Sequence, residues 1–147
     1  MDRFMEIAIT EAREGITKGH GGPFGSVIVK DGSIVGRGHN QVILLNDPTC
    51  HGEIMAIHDA CNTLGTFDLS GCTLYTTAEP CPMCLGAICW ANIEKVYYGC
   101  TISDTDRIGF RDEKFYNEKW NRSEELDRSE CLELFGEYSR SEKRKQY

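Results

Sequence analysis

Three side chains near the middle of the chain have the types and the spacing that hold a metal ion. Cys81 and Cys84 form a Cys-x-x-Cys pair, and His51 lies upstream of them. Two thiolates and one imidazole leave the fourth tetrahedral position of a zinc ion open for water, which is the composition of catalytic zinc sites. Glu53 follows the histidine by two residues, where its carboxylate can reach that water without binding the metal. The pattern predicts one catalytic zinc ion per chain, with Glu53 as general acid and base.

Taken alone, a Cys-x-x-Cys pair is also compatible with two further kinds of site. It occurs as a redox pair and as half of a structural zinc site. A redox pair needs no upstream His-x-Glu, whereas a structural zinc ion needs a fourth protein ligand, for which Cys50 is the candidate. Adjacent residues rarely reach one metal from the start of a helix. For Glu53 the simpler alternative is an ordinary acid in the first turn of a helix, which the helix dipole favours.

The segments around these residues alternate between helix and strand. Apolar residues at helical spacing predict helices over residues 2–18 and 51–64. Residues 81–91 are expected to form a third helix, so that both halves of the metal motif open a helix. Strands are predicted over residues 24–30, 33–38, 72–77 and 95–99. Asp31-Gly32 predicts a tight hairpin between the first two strands, and the third and fourth form a parallel crossover. We expect an α/β fold with three layers, α/β/α, and a mixed central sheet.

The C-terminal third of the chain has weaker patterns. Residues 103–111 are expected to form a loop, and the polar stretch 117–130 is a candidate linker. An apolar stripe of Cys131, Leu134, Phe135 and Tyr138 predicts a last helix. With 147 residues and no convincing boundary, the whole chain 1–147 is predicted to be one domain.

Composition narrows the class of partner. The net charge of -7 argues against a nucleic-acid partner and for a small-molecule substrate. Without an apolar run of ~18 residues, we expect no membrane span. Eight cysteines without an export signal fit reduced thiols in the cytoplasm better than a disulfide framework.

His-x-Glu followed by Pro-Cys-x-x-Cys is the mark of the zinc-dependent base deaminases. The chain resembles the cytidine deaminase superfamily, and more closely its small bacterial guanine deaminases. The resemblance covers at least residues 5–112, and it rests on the stretches 21–25, 27–32, 46–49, 79–88 and 90–91. The run Ile108-Gly109-Phe110-Arg111-Asp112 is more specific, because it resembles the loop where guanine deaminases carry a second catalytic acid.

The resemblance implies roles for five further residues. Asp112 would contact the purine amino group and assist proton transfer. Asn40 would hydrogen-bond the base, Phe24 would stack on it, and Trp90 and Tyr147 would close the pocket. The resemblance also implies a homodimer in which the segment from about residue 117 to 147 is swapped, so that Tyr147 would act in the neighbouring site.

Each of these residues also has an ordinary structural interpretation. In that interpretation, position 112 is a solvated surface acid and position 40 a turn residue. Positions 24 and 90 are core aromatics, and position 147 is a disordered chain end.

One position departs from the family pattern. Gly52 stands between the metal histidine and the glutamate, where the family usually has alanine. His-Gly-Glu also occurs in fungal-type cytosine deaminases. Guanine is therefore the first expectation for the substrate, cytosine or a nucleoside the second, and adenosine in transfer RNA the third. A zinc-stabilised binding module without catalysis is the alternative from a different class.

Overall fold

The computed structural model of the chain describes residues 1–118 and 122–147 and divides into two compact units. The first unit is Met1–Asn117 and the second is Glu118–Tyr147. The boundary lies at the start of the predicted linker 117–130, of which residues 119–121 lie outside the described residues.

The first unit is built on a sheet of four strands. In chain order these are β1 (Gly25–Lys30), β2 (Ser33–His39), β3 (Cys72–Ala78) and β4 (Lys95–Cys100). Their order across the sheet is β2-β1-β3-β4, with β1 antiparallel to both of its neighbours and β3 parallel to β4. The predicted mixed sheet and its parallel crossover are confirmed.

The β1–β2 hairpin turns at the predicted dipeptide. Asp31 has a φ of 49° and Gly32 a φ of 76°, so both residues are in the left-handed region. A two-residue turn with both φ angles positive matches the twist of antiparallel strands. The turn pairs Lys30 with Ser33, and a β-bulge between Ile28 and Val29 then shifts the register by one residue, so that Ser26 lies opposite Gly38.

Six helices surround this sheet in the first unit. They are α1 (Arg3–Thr17), α2 (Val42–Leu45), α3 (Gly52–Leu64), α4 (Pro82–Trp90), α5 (Ile102–Arg107) and α6 (Asp112–Asn117). Successive side chains of a strand point to opposite faces. His39 contacts Glu11 of α1, whereas Ile28 packs in the core with Ala56 of α3 and Ile88 of α4. The helices therefore lie on both faces of the sheet, as the predicted α/β/α fold requires.

Helix α3 packs unusually close to β2. A Cβ atom on Gly36 would lie 2.5 Å from the carbonyl oxygen of Ala56 and 2.7 Å from the Cβ of Ala60. Glycine weakens a strand interior unless another part of the backbone has to approach it closely. Here the close approach places the start of α3 beside the end of β2.

The loop predicted for residues 103–111 is wrong over most of its length, because α5 occupies Ile102–Arg107. The helix starts with a capping box, in which the hydroxyl of Thr101 accepts from the Asp104 N–H and the Asp104 carboxylate accepts from the Thr101 N–H. A helix of six residues has no apolar periodicity to detect. Thr-x-x-Asp is the one local signal of this helix, and it is weaker than the usual capping box with Glu or Gln. Helix α6 is likewise absent from the sequence-based prediction.

The second unit contains the helix that the apolar stripe predicts, α7 (Arg128–Arg140). Its side chains Leu134, Phe135 and Tyr138 are at least half exposed. The Tyr138 hydroxyl donates to the carbonyl oxygen of Lys145 at 2.7 Å, which folds the tail onto the helix. The described residues that follow β4 form no further strand. None of the helices in the described ranges is long and apolar enough to cross a membrane.

Candidate active site

The starts of α3 and α4 bring the three predicted metal ligands together. His51 is the N-cap residue of α3 and Cys81 that of α4, and neither side chain makes a capping hydrogen bond. Both side chains are therefore available to the site. Cys84 lies one turn into α4 and is fully buried. The Nδ1 atom of His51 lies 3.6 Å from the Sγ of Cys81 and 3.5 Å from the Sγ of Cys84.

These distances fit a tetrahedral zinc ion. Zn–S bonds of ~2.3 Å and Zn–N bonds of ~2.0 Å at a tetrahedral angle place sulfur and nitrogen ~3.5 Å apart. All three ligand atoms lie within 4.8 Å of one another. The donor set of two thiolates and one imidazole also suits zinc. We assign the cluster to one zinc ion per chain.

The electrostatics of the cluster favour a thiolate. The hydrogen bond with Cys84 and, to a smaller extent, the neighbouring His51 lower the pKa of Cys81 to about 4. The same hydrogen bond and burial raise the pKa of Cys84, while the bond to Cys81 raises the pKa of His51. Metal binding needs both thiols deprotonated and the imidazole neutral, so zinc uptake releases the remaining protons.

Glu53 lies in the first turn of α3, next to the metal ligands. Its side chain is 6% exposed, and its Oε2 atom lies 3.5 Å from the Sγ of Cys84. Burial raises the pKa of this carboxyl. A carboxyl with a raised pKa can both accept and release a proton near neutral pH, which is what a general acid and base requires.

Cys50 does not belong to this cluster, although it precedes a ligand in sequence. The metal-binding group found among the described residues consists of His51, Cys81 and Cys84. Burial raises the pKa of the Cys50 thiol, which keeps it protonated and a poor ligand. A structural site completed by Cys50 is therefore not the arrangement of this chain.

A cavity of about 420 Å³ opens beside the three ligands. It is lined by six of the nine residues predicted for the site, namely Phe24, Asn40, His51, Glu53, Cys81 and Asp112. Pockets of this size accept small organic ligands. The other three predicted residues, which do not line the cavity, are Cys84, Trp90 and Tyr147.

Two aromatic rings form one wall of the cavity. The rings of Phe24 and Phe110 meet edge to face, with their centroids 4.8 Å apart and their planes at 81°. Such a contact stabilises both rings and leaves the face of one open to a flat ligand. Phe110 is a site residue that the sequence reasoning missed, and its place directly before Arg111-Asp112 in the family-like run was the available signal.

Asn40 is held rigidly at another side of the cavity. Its side chain is 5% exposed, and its Oδ1 atom accepts from the Val42 N–H at 3.1 Å. Its own N–H donates to the carbonyl oxygen of Phe24 at 2.9 Å. The backbone of Gly21 lies so close that a Cβ there would come within 2.0 Å of Oδ1. These contacts fix the amide through its oxygen and leave the side-chain NH₂ group to a ligand.

Asp112 opens α6 and lines the cavity across from the metal ligands. Burial raises the pKa of its carboxyl, and the negative charge on Cys81 raises it further. The structure thus places a second carboxyl at the same cavity as Glu53.

Trp90 does not line this cavity, and Tyr147 belongs to the second unit. Trp90 is the last residue of α4, is 67% exposed, and is not one of the described residues that line the cavity. Tyr147 ends the second unit and is 77% exposed. Their roles in closing the pocket stay predictions.

Comparison with known proteins agrees with the geometry of the site. The family model of the cytidine and deoxycytidylate deaminase zinc-binding region matches residues 1–100. The chain belongs to this deaminase family. The matched range contains His51, Cys81, Cys84 and Glu53.

The chain is similar in sequence to two kinds of relative within the deaminase family. A guanine deaminase of Bacillus subtilis is 50% identical over 117 residues, which are 80% of this chain and 75% of the relative. A tRNA-specific adenosine deaminase of Aquifex aeolicus is 46% identical over 95 residues, 65% of this chain and 62% of the relative. The similarity to the guanine deaminase thus covers more of this chain than the similarity to the adenosine deaminase does.

Solved structures give the same picture. The X-ray structure of a guanine deaminase from Bacillus subtilis superposes with a TM-score of 0.92, at 41% identity, covering 100% of this chain and 99% of the other. A guanine deaminase from Nitrosomonas europaea superposes with a TM-score of 0.70, at 29% identity, covering 89% of this chain and 70% of the other. The cytidine-deaminase-like fold of this chain is therefore confirmed.

Proposed function

We propose that this deaminase hydrolyses guanine to xanthine and ammonia. The observation that carries the proposal is one cavity that opens beside the three zinc ligands and is lined by two carboxyl side chains, Glu53 and Asp112. The similarity to a guanine deaminase over 80% of the chain supports the choice of base. A cavity of about 420 Å³ has room for a bicyclic base.

His51, Cys81 and Cys84 hold the zinc ion in this proposal. When bound, the ion acts as a Lewis acid that lowers the pKa of a coordinated water toward neutrality. Glu53 takes one proton from the attacking water and passes it to the ring nitrogen. It then takes the second proton from the new hydroxyl group as the carbonyl forms and passes it to the departing amine, which leaves as ammonia. Its burial suits both steps, because a carboxyl with a raised pKa is a better proton donor near neutral pH.

The remaining cavity residues bind the base. Phe24 offers an aromatic face to the purine, supported from behind by the ring of Phe110. The fixed amide of Asn40 hydrogen-bonds a ring acceptor. Asp112 contacts the exocyclic amine and assists the proton transfer that releases it.

Adenosine in transfer RNA is the second candidate, because relatives with that activity are 46% identical over 65% of this chain. The net charge of -7 does not favour binding to a nucleic acid. The similarity to the transfer-RNA enzymes also covers less of the chain than the similarity to the guanine deaminase does.

A homodimer in a reducing compartment completes the proposal. The exposed apolar side chains of α7 support an interface between subunits, since apolar patches of this kind mark contact surfaces. A swapped segment would carry Tyr147 to the neighbouring site. Cys81 and Cys84 can bind zinc only as thiolates, which supports a reducing, cytoplasmic location. A monomer in analytical ultracentrifugation of the zinc-loaded protein would contradict the dimer.

Product analysis tests the reaction. Zinc-loaded protein is incubated with guanine in H₂¹⁸O, and the products are identified by chromatography and mass spectrometry. We expect equal amounts of xanthine and ammonia, with the labelled oxygen in the new carbonyl group. Guanine that is recovered unchanged would overturn the proposal.

A further inference from the structure

Helix α6 carries Asp112 but is too short to be stable by itself. It has six residues, Asp112–Asn117, and none of them is buried. Isolated helices of fewer than ~12 residues are marginal in water. The position of the Asp112 carboxyl at the cavity therefore depends on contacts that hold α6 in place.

Tyr116 supplies such a contact. It follows Asp112 by four residues, so the two side chains lie on the same face of the helix. The Tyr116 hydroxyl donates to the carbonyl oxygen of Pro80 at 2.5 Å. Burial raises the pKa of this hydroxyl, which keeps it protonated and able to donate.

Pro80 is a well-placed acceptor for this bond. It is buried and directly precedes the metal ligand Cys81. A proline has no N–H, so its carbonyl is the one main-chain group that it offers. The hydrogen bond thus ties the helix that bears Asp112 to the loop that bears the metal ligand.

The same loop also holds the other end of the segment. The Glu79 carboxylate accepts from the Ile102 N–H at 2.9 Å, at the start of α5. Glu79 and Pro80 are therefore adjacent anchor points for a segment that begins at residue 102 and ends at residue 117. This segment carries both Phe110 and Asp112 to the cavity.

We propose that Tyr116 is a positioning residue of the reaction, whose hydrogen bond to Pro80 sets the Asp112 carboxyl relative to the zinc ligands. The inference rests on the proposed function in one respect, since Asp112 must act on the substrate. It predicts that Tyr116 affects turnover only through Asp112.

A double-mutant cycle tests this coupling. Guanine turnover is measured for the wild type, Tyr116→Phe, Asp112→Ala and the double variant. We expect Tyr116→Phe to lower kcat by about tenfold, the scale of one misaligned catalytic contact, with an unchanged zinc content and little change in KM. In the Asp112→Ala background the same change should lower kcat by less than about twofold, because no carboxyl is left to position. Equal losses in both backgrounds, or full activity of Tyr116→Phe, would overturn the inference.

Hydrogen–deuterium exchange gives a readout that does not depend on the substrate. Tyr116→Phe should speed exchange in peptides that cover residues 112–117 and leave α3 and α4 unchanged. Tyr97→Phe on β4 is the matched control, since it removes a hydroxyl from a half-exposed tyrosine outside the cavity. Unchanged hydrogen–deuterium exchange in peptides that cover residues 112–117 would show that Tyr116 does not hold α6 in place. If guanine is not turned over but another base is, the substrate assignment fails, and the same cycle on that base decides the role of Tyr116.

Discussion

A methyl group on Gly52 would lie 3.0 Å from the carbonyl oxygen of Phe24, the atom that accepts a hydrogen bond from the Asn40 N–H. Gly52 separates the metal ligand His51 from Glu53. The glycine that departs from the family pattern is therefore part of the packing between the start of α3 and the wall of the cavity. Glycine fits this close packing whichever base is the substrate.

Replacing Gly52 by alanine should push this wall outward. A misplacement of ~1 Å can cost ~10²-fold in rate, so a shift of a few tenths of an ångström should lower kcat/KM by about two- to fivefold. The zinc content should stay the same, because no ligand is changed. Steady-state kinetics and metal analysis of Gly52→Ala check this. Kinetics identical to the wild type would show that the wall accommodates the methyl group freely.

Replacing Glu53 by glutamine removes the proton carrier but keeps the size and the hydrogen-bonding capacity of the side chain. General acid–base groups contribute ~10²–10⁴-fold, and Glu53 acts in more than one step, so the loss in kcat should be ~10⁴-fold or more. Zinc should remain bound at one ion per chain. A variant that keeps activity within about tenfold, or ~1.4 kcal/mol of barrier, would exclude this role for Glu53.

Replacing Asp112 by alanine should strongly lower the rate of guanine turnover and leave the fold and the zinc content unchanged. A lost charge-assisted hydrogen bond alone costs ~1.5–3 kcal/mol, and loss of a catalytic role costs more. Glu113→Ala is the matched control, since this neighbouring acid on α6 is exposed and does not line the cavity. Equal rates for the two variants would show that Asp112 is a surface acid without a role in turnover.

Removing zinc should abolish activity and lower the melting temperature. The two thiolates and the imidazole join the starts of α3 and α4, so the ion stabilises the folded chain by mass action. Chelation is performed with a reducing agent, and zinc or magnesium is then added back. Zinc should restore both properties, and magnesium should not, because thiolates prefer zinc to magnesium. Full activity of metal-free protein would contradict the assignment of the site.

Patterns of sufficient length predict most of the first unit correctly. The apolar stripes of α1 and α3, the four strands and the Asp31-Gly32 turn all carry local signals that packing then reinforces. The metal ligands are identifiable because ligand chemistry fixes both residue type and spacing. Their distances in the structure are those that one shared zinc ion requires.

The features that sequence patterns miss depend on contacts between distant parts of the chain. Helices α5 and α6 are too short for a periodic pattern, and α6 is held by a bond from Tyr116 to Pro80 that no local signal announces. Phe110 reaches the cavity because it packs on Phe24, far away in sequence. Trp90 and Tyr147 are expected at the site from the family resemblance alone, and their roles stay predictions.

Specificity among bases tests the central claim most directly. Ammonia release by the zinc-loaded wild-type protein is measured with guanine, cytosine, adenine and their nucleosides, and kcat/KM is compared. A cavity with two carboxyls and a fixed amide should reject bases that leave these polar groups unpaired, by ~10⁴-fold or more. We predict that guanine is turned over with the highest kcat/KM by that margin. Efficient turnover of cytosine with no turnover of guanine would contradict the account.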